Sequence, residues 1–110
     1  MSDNHFERVF GSMPIFEAIQ KSDLSFLNTF LSREGNPNLL DRHGNALIHI
    51  AIYEESYKSL SMLLAHGASP ELEDEFGNKP LQLACTYGDL RAVDLLLRHG
   101  ADIDGTSQRR

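Results

Sequence analysis

Five residues, Asp41-Arg42-His43-Gly44-Asn45, return 33 positions later as Asp74-Glu75-Phe76-Gly77-Asn78. Their surroundings keep the same step: Leu60, Leu63, Leu64, Gly67 and Ala68 become Val93, Leu96, Leu97, Gly100 and Ala101. Moving 33 positions back takes Gly44 to Gly11, Ala51 to Ala18, and Leu60, Leu63 and Leu64 to Leu27, Phe30 and Leu31. The chain thus reads as three copies of one unit, at about residues 8–40, 41–73 and 74–105. A period of this length marks a stacked array, in which each unit buries its apolar side only against its neighbours. The 110 residues leave room for one domain, taken as 1–110.

Within each copy the pattern predicts two short helices. The second carries apolar residues at i, i+3, i+6 and i+7: Leu24, Leu27, Phe30 and Leu31, then Tyr57, Leu60, Leu63 and Leu64, then Leu90, Val93, Leu96 and Leu97. That spacing lines one helical face. Asp23, Ser56 and Asp89 precede the three stripes and are expected to cap them by accepting from free backbone N–H groups. Gly67 and Gly100 follow two of the stripes and suit a left-handed stop. Copy one has Glu34-Gly35 there, so its stop is expected one residue late. The first helix is shorter, with Pro14 and Pro80 in first turns where a missing N–H does no harm. Ala18, Ala51 and Ala84 recur at one position, which predicts a close helix approach. Asn36-Pro37-Asn38 and Ala68-Ser69-Pro70 supply turn chemistry between copies.

A 33-residue unit of a turn and two helices, opening on a Thr-Pro-Leu-His-like tetrapeptide, resembles the ankyrin repeat. Here the tetrapeptide reads Met13-Pro14-Ile15-Phe16, Ala46-Leu47-Ile48-His49 and Lys79-Pro80-Leu81-Gln82, intact in none. The fuller match is Tyr87-Gly88-Asp89-Leu90 with Val93, followed by Leu96-Leu97-Arg98-His99-Gly100-Ala101-Asp102-Ile103-Asp104. The resemblance covers residues 8–104. It implies an all-α ankyrin-repeat solenoid, three helix-turn-helix repeats joined by β-turn-like fingers.

Charge narrows the partners of such an array. Sixteen acidic residues stand against ten basic ones, for a formal charge of −6. That sign repels phosphate backbones, and Arg109-Arg110 reads as a solvated tail, so nucleic acid is not expected. No apolar run approaches the ~20 residues of a membrane span, and Met1-Ser2-Asp3-Asn4-His5 lacks the features of a secretory signal. A single cysteine, Cys85, points to a reducing, cytoplasmic setting.

Catalytic equipment is not visible. His66 and His99 share one place in adjacent copies, but a histidine at a helix C-terminus suits the dipole and the free carbonyls better than it suits a metal. His49 stands where ankyrins carry their motif histidine; with Ala46 replacing threonine, packing or a different backbone bond is expected of it. Cys85, whose counterparts are Ile19 and Ile52, is expected to be a buried, inert thiol. No serine or cysteine shows a histidine and carboxylate at recognisable spacing, and Gly11, Gly44 and Gly77 are lone turn glycines rather than a phosphate cradle. Glu71, Glu73, Asp74 and Glu75 form an acidic turn without the spacing of a calcium loop. The chain is read as a non-enzyme without metal or cofactor.

The resemblance instead implies a protein partner on the concave face of turns and first helices. The family's variable contact positions fall on Arg42, His43, Asn45, Tyr53 and Glu54, on Glu75, Phe76, Asn78, Thr86 and Tyr87, and in copy one on Ser12, Gln20 and Lys21. Tyr53, Phe76 and Tyr87 are candidate anchors, with packing against the neighbouring turn as the competing reading. Glu54, Glu73, Asp74 and Glu75 would steer a basic partner. The expected function is that of an adaptor or scaffold; the alternative is a small acidic inhibitor masking a basic enzyme. Copy three ends without a polar capping unit, so its outward face, including Leu83 and Leu95, is expected to be covered by a partner or, through self-association, by a second copy.

Overall fold

A computed structural model describes residues 13–103 of the protein. His5, Gly11, Ser12, Gly105 and Arg109-Arg110 lie outside the described residues, as does the side chain of Pro14. The described residues contain six helices: α1 (Met13–Gln20) and α2 (Leu24–Ser32), α3 (Leu47–Tyr53) and α4 (Tyr57–Ala65), α5 (Pro80–Tyr87) and α6 (Leu90–Arg98). Each repeat is one antiparallel pair. The first helices α1, α3 and α5 stack in one row and the second helices α2, α4 and α6 in another. The result measures 47 × 23 × 21 Å.

The recurring alanines sit at the joints of the helix pairs. Ala18, Ala51 and Ala84 are buried, and the carbonyl of each accepts the N–H of the residue before the second helix: Asp23 at 2.7 Å, Ser56 at 2.9 Å and Asp89 at 2.9 Å. The hairpin closes on itself three times in the same way. The bend requires a left-handed residue, filled by Ser22 (φ 57°), Glu55 (φ 55°) and Gly88 (φ 68°). Asp23 and Asp89 cap α2 and α6 through Phe26 N and Ala92 N. Ser56 departs from the expected cap. It is buried, and its hydroxyl donates to Ser59 Oγ at 2.8 Å and lies 3.3 Å from Ser22 Oγ, which leaves it no role at the helix start.

The stop of copy one also differs from expectation. Glu34 itself adopts φ 67°, matching Gly67 and Gly100, so the helix ends in register and not one residue late. Gly35 is needed for another reason: a Cβ there would lie 2.6 Å from both the Phe30 ring and the Phe30 carbonyl oxygen. Copies two and three have Leu63 and Leu96 in place of Phe30, and alanine in place of Gly35. In all three the carbonyl of this core residue accepts the following N–H, at 2.8, 2.9 and 3.0 Å. A larger core side chain in copy one has thus been matched by removal of a methyl group.

The core runs unbroken between the rows, through Ile15, Ile19, Leu27, Leu47, Ile48, Ile52, Leu60, Leu63 and Leu96. It ends at the third repeat. Cys85 is exposed, contrary to the expected buried thiol, because the following helix pair that covers Ile19 and Ile52 has no counterpart over α5 among the described residues. Leu83, expected on the outward face, is buried, and Leu95 is half-buried against the core.

Candidate partner-binding surface

Each of the two described fingers is folded around an aspartate. Asp41 Oδ1 accepts from His43 N and Asn45 N, both at 2.9 Å, while its own N–H donates to Asn45 O. Asp74 repeats the arrangement with Phe76 N at 2.9 Å and Asn78 N at 2.8 Å. Gly44 (φ 93°) and Gly77 (φ 83°) occupy the left-handed corner that this loop demands. The sequence reading took Asp74 as a solvated, steering charge. It is instead 6% exposed, and Tyr53 Oη donates to its second oxygen at 3.0 Å. Burial works to raise the Asp74 pKa, but the two backbone donors and the Tyr53 hydroxyl outweigh it and hold the carboxyl below its ordinary value. The signal was the recurrence of Asp41 and Asp74 at the head of each copy.

Neighbouring fingers are then tied together. Asn45 and Glu75 exchange two bonds, Asn45 Nδ2 to Glu75 Oε2 at 3.1 Å and Glu75 N to Asn45 Oδ1 at 3.2 Å. His49 bridges a helix start and a finger. Its Nδ1 lies 2.9 Å from Ala46 N, which can only donate, and its Nε2 lies 2.9 Å from Leu72 O, which can only accept; the neutral Nε2–H tautomer follows. The histidine therefore makes a different backbone bond, as its sequence context implied. Gln82 does the first half of this task in copy three, accepting from Lys79 N at 2.8 Å. Glu71 reaches Lys79 at 3.5 Å and accepts from Asp102 N at 2.8 Å.

These ties sort the ten candidate contact residues. Asn45 is buried, with its amide committed to Glu75. Asn78 is half-buried. Tyr53 is half-buried and held by Asp74, so the packing reading describes it well. Arg42, His43, Glu54, Glu75, Phe76, Thr86 and Tyr87 are exposed, as are Gln20 and Lys21 of the first repeat. Phe76 is 76% exposed and Tyr87 56%. The Tyr87 ring meets the Tyr53 ring edge-on, with centroids 6.3 Å apart and planes at 62°. One tyrosine is thus fixed by a carboxylate, and the second leans on it with most of its surface free.

Paired helices in two rows, with cross-linked fingers along one edge, define a helical repeat solenoid. The family description "Ankyrin repeats (3 copies)" matches residues 15–107, and the chain belongs to the ankyrin-repeat family. No curated protein matches the sequence. Ankyrin repeats generally mediate protein–protein interaction, and the family is typically non-enzymatic. None of the described helices is long and apolar enough to cross a membrane.

Proposed function

We propose that this chain binds a basic partner protein through the strip formed by its fingers and the ends of α3 and α5. The observation that carries the reading is the Tyr53–Tyr87 pair. An exposed aromatic ring that is already oriented makes a good anchor, since little rotamer freedom remains for a partner to remove. Phe76 adds a second exposed ring, and the exposed carboxylates of Glu54, Glu73 and Glu75 give the strip its sign. Arg42, His43, Asn78 and Thr86 complete the contact set, while Asn45 acts as an internal clamp. An adaptor or scaffold role fits a chain of this class; the charge of −6 keeps an acidic inhibitor of a basic enzyme as the second reading. The single, exposed thiol of Cys85 fits a reducing setting, and the proposed location is cytoplasmic.

The test is affinity capture by the wild-type chain beside Tyr87→Ala and Glu54→Lys variants, then kinetics with the partner found. Tyr87→Ala should weaken binding roughly 30-fold, mainly through faster dissociation. Glu54→Lys should slow association and flatten its salt dependence. Glu54 is the cleaner probe than Glu75, whose side chain also holds Asn45. Full affinity in both variants, with folding intact, would move the site off this strip. A single stoichiometric enzyme partner would favour inhibition, and several partners an adaptor.

A further inference from the structure

Tyrosine hydroxyls tie the second repeat to the third in two places, and the two ties are built alike. In the row of second helices, Tyr57 of α4 donates to both oxygens of Asp89, at 2.9 and 3.0 Å. In the row of fingers, Tyr53 of α3 donates to Asp74 Oδ2 at 3.0 Å. Each bond sets an aromatic ring beside a carboxylate, so a cation over the ring meets both the electron-rich face and the negative charge.

The helix-row tie is completed by a cation of the chain's own. The Arg91 guanidinium stands over the Tyr57 ring, 5.0 Å from its centroid, and Arg91 lies two residues beyond the aspartate that the hydroxyl holds. Two residues beyond Asp74 the chain has Phe76, and among the described residues no cation stands over Tyr53 or Tyr87. The finger-row tie has instead a second ring, Tyr87, meeting Tyr53 edge-on and 56% exposed. Its carboxylates also lack a counter-charge. The ion pairs of the described residues, Lys79 with Glu71 and Arg98 with Asp94, engage neither Asp74 nor Glu75. Glu75 is exposed, and Asn45 holds its Oε2, which leaves Oε1 to meet a donor. Burial, then the bond and charge of Asp74, with Tyr87 and Glu75 adding to them, push the Tyr53 pKa up, so its hydroxyl stays a donor and the corner keeps its shape.

With the partner-binding reading above as its basis, we infer that the partner protein is held by an arginine side chain, its guanidinium laid on the exposed Tyr87 ring and its N–H groups turned to the Glu75 carboxylate. Arginine suits this corner better than lysine. A planar guanidinium stacks flat on a ring while its in-plane donors still reach a carboxylate, and it sheds water more readily than an ammonium. It is also the group that the chain itself uses at Tyr57.

The probes are acetyl-Gly-Arg-Gly-amide and its lysine and citrulline counterparts, titrated into the isotope-labelled full chain and followed by NMR at the tyrosine rings. The arginine peptide should shift the Tyr87 and Tyr53 ring signals and saturate in the low-millimolar range. The lysine peptide should bind roughly fivefold more weakly, and citrulline, which keeps the shape without the charge, should leave the rings unmoved. The Tyr57 ring, already covered by Arg91, should not respond. Tyr87→Phe should bind as the wild type does and Tyr87→Leu should lose the site. Glu75→Gln, whose amide oxygen still accepts from Asn45, should weaken it roughly threefold. Lysine or citrulline binding as tightly as arginine, or arginine shifts confined to other parts of the chain, would overturn the inference, and the wild-type titration alone gives that answer. The two readings fail separately. If Tyr87→Ala weakens the captured partner while the arginine peptide leaves the rings unmoved, the strip stands and the arginine seat falls. If the arginine peptide binds at the rings while the captured partner ignores Tyr87→Ala, the seat stands and the strip falls.

Discussion

His49 and Asp74 are both polar, both buried, and both sit where a finger meets a helix, yet they respond to acid in separate windows. Burial lowers the His49 pKa, against the pull of its bond to Leu72 O and the charges of Asp74 and Asp41. Below the free imidazole value of ~6.5, the unfolded chain takes up a proton that the folded chain resists; this contribution to stability is present above that value and is lost as pH falls. The depressed Asp74 carboxyl contributes stability above the unfolded carboxylate value of ~3.9, lost as pH falls through its lower folded value. Urea midpoints should therefore decline between about pH 7 and pH 5, and decline again in stronger acid. His49→Gln should remove the first decline and keep the second, because glutamine already makes the helix-start bond of this position at Gln82. His49 was legible in the sequence through its place in the repeat. Asp74 was not, because a carboxylate in a run of four acids looks solvated until the loop that wraps it is seen.

The bends and stops of the helices carry the small departures from the repeat. Glu34 and Glu55 hold left-handed backbone that glycine adopts without strain, at φ 67° and 55°. Glu34→Gly should raise stability by about 0.5–1 kcal/mol, the relief of that strain outweighing the added freedom of the unfolded chain; chemical denaturation measures it. Gly35→Ala should act in the opposite direction, by roughly 1–3 kcal/mol, because the new methyl group overlaps the Phe30 ring. Adding Phe30→Leu, which restores the leucine–alanine pairing of copies two and three, removes the ring overlap but not the contact with the residue 30 carbonyl oxygen, so it should recover part of that loss and a double-mutant cycle should give a coupling energy. Periodicity made the helices, two of the caps and the alanine joints readable. It could not reveal the Phe30–Gly35 exchange or the diversion of Ser56 to Ser59, since both depend on which side chain leans on which.

At the scale of the molecule, stability is a chain of neighbour contacts, and the third repeat has a neighbour on one side only among the described residues. Under monomeric conditions, amide hydrogen exchange should be slowest in α3 and α4 and faster in α6 than in α4, position for position; equal protection of Leu63 and Leu96 would count against this. The sequence put Cys85 inside because its counterparts are isoleucines, and the array put it outside because nothing described stacks upon it. The fingers lead to a different consequence. Ties around them join one repeat to the next: Asn38 to Ser69, Asn45 to Glu75, Tyr53 to Asp74, Glu71 to Asp102. The two described fingers cannot tilt independently without breaking these bonds, and so act as a single stiff plate. Such a plate cannot mould itself to a poorly matched surface. It selects by rejection: a protein whose contour or charge is wrong at one repeat loses its grip on the adjacent repeat too, and discrimination comes from rigidity as much as from attraction.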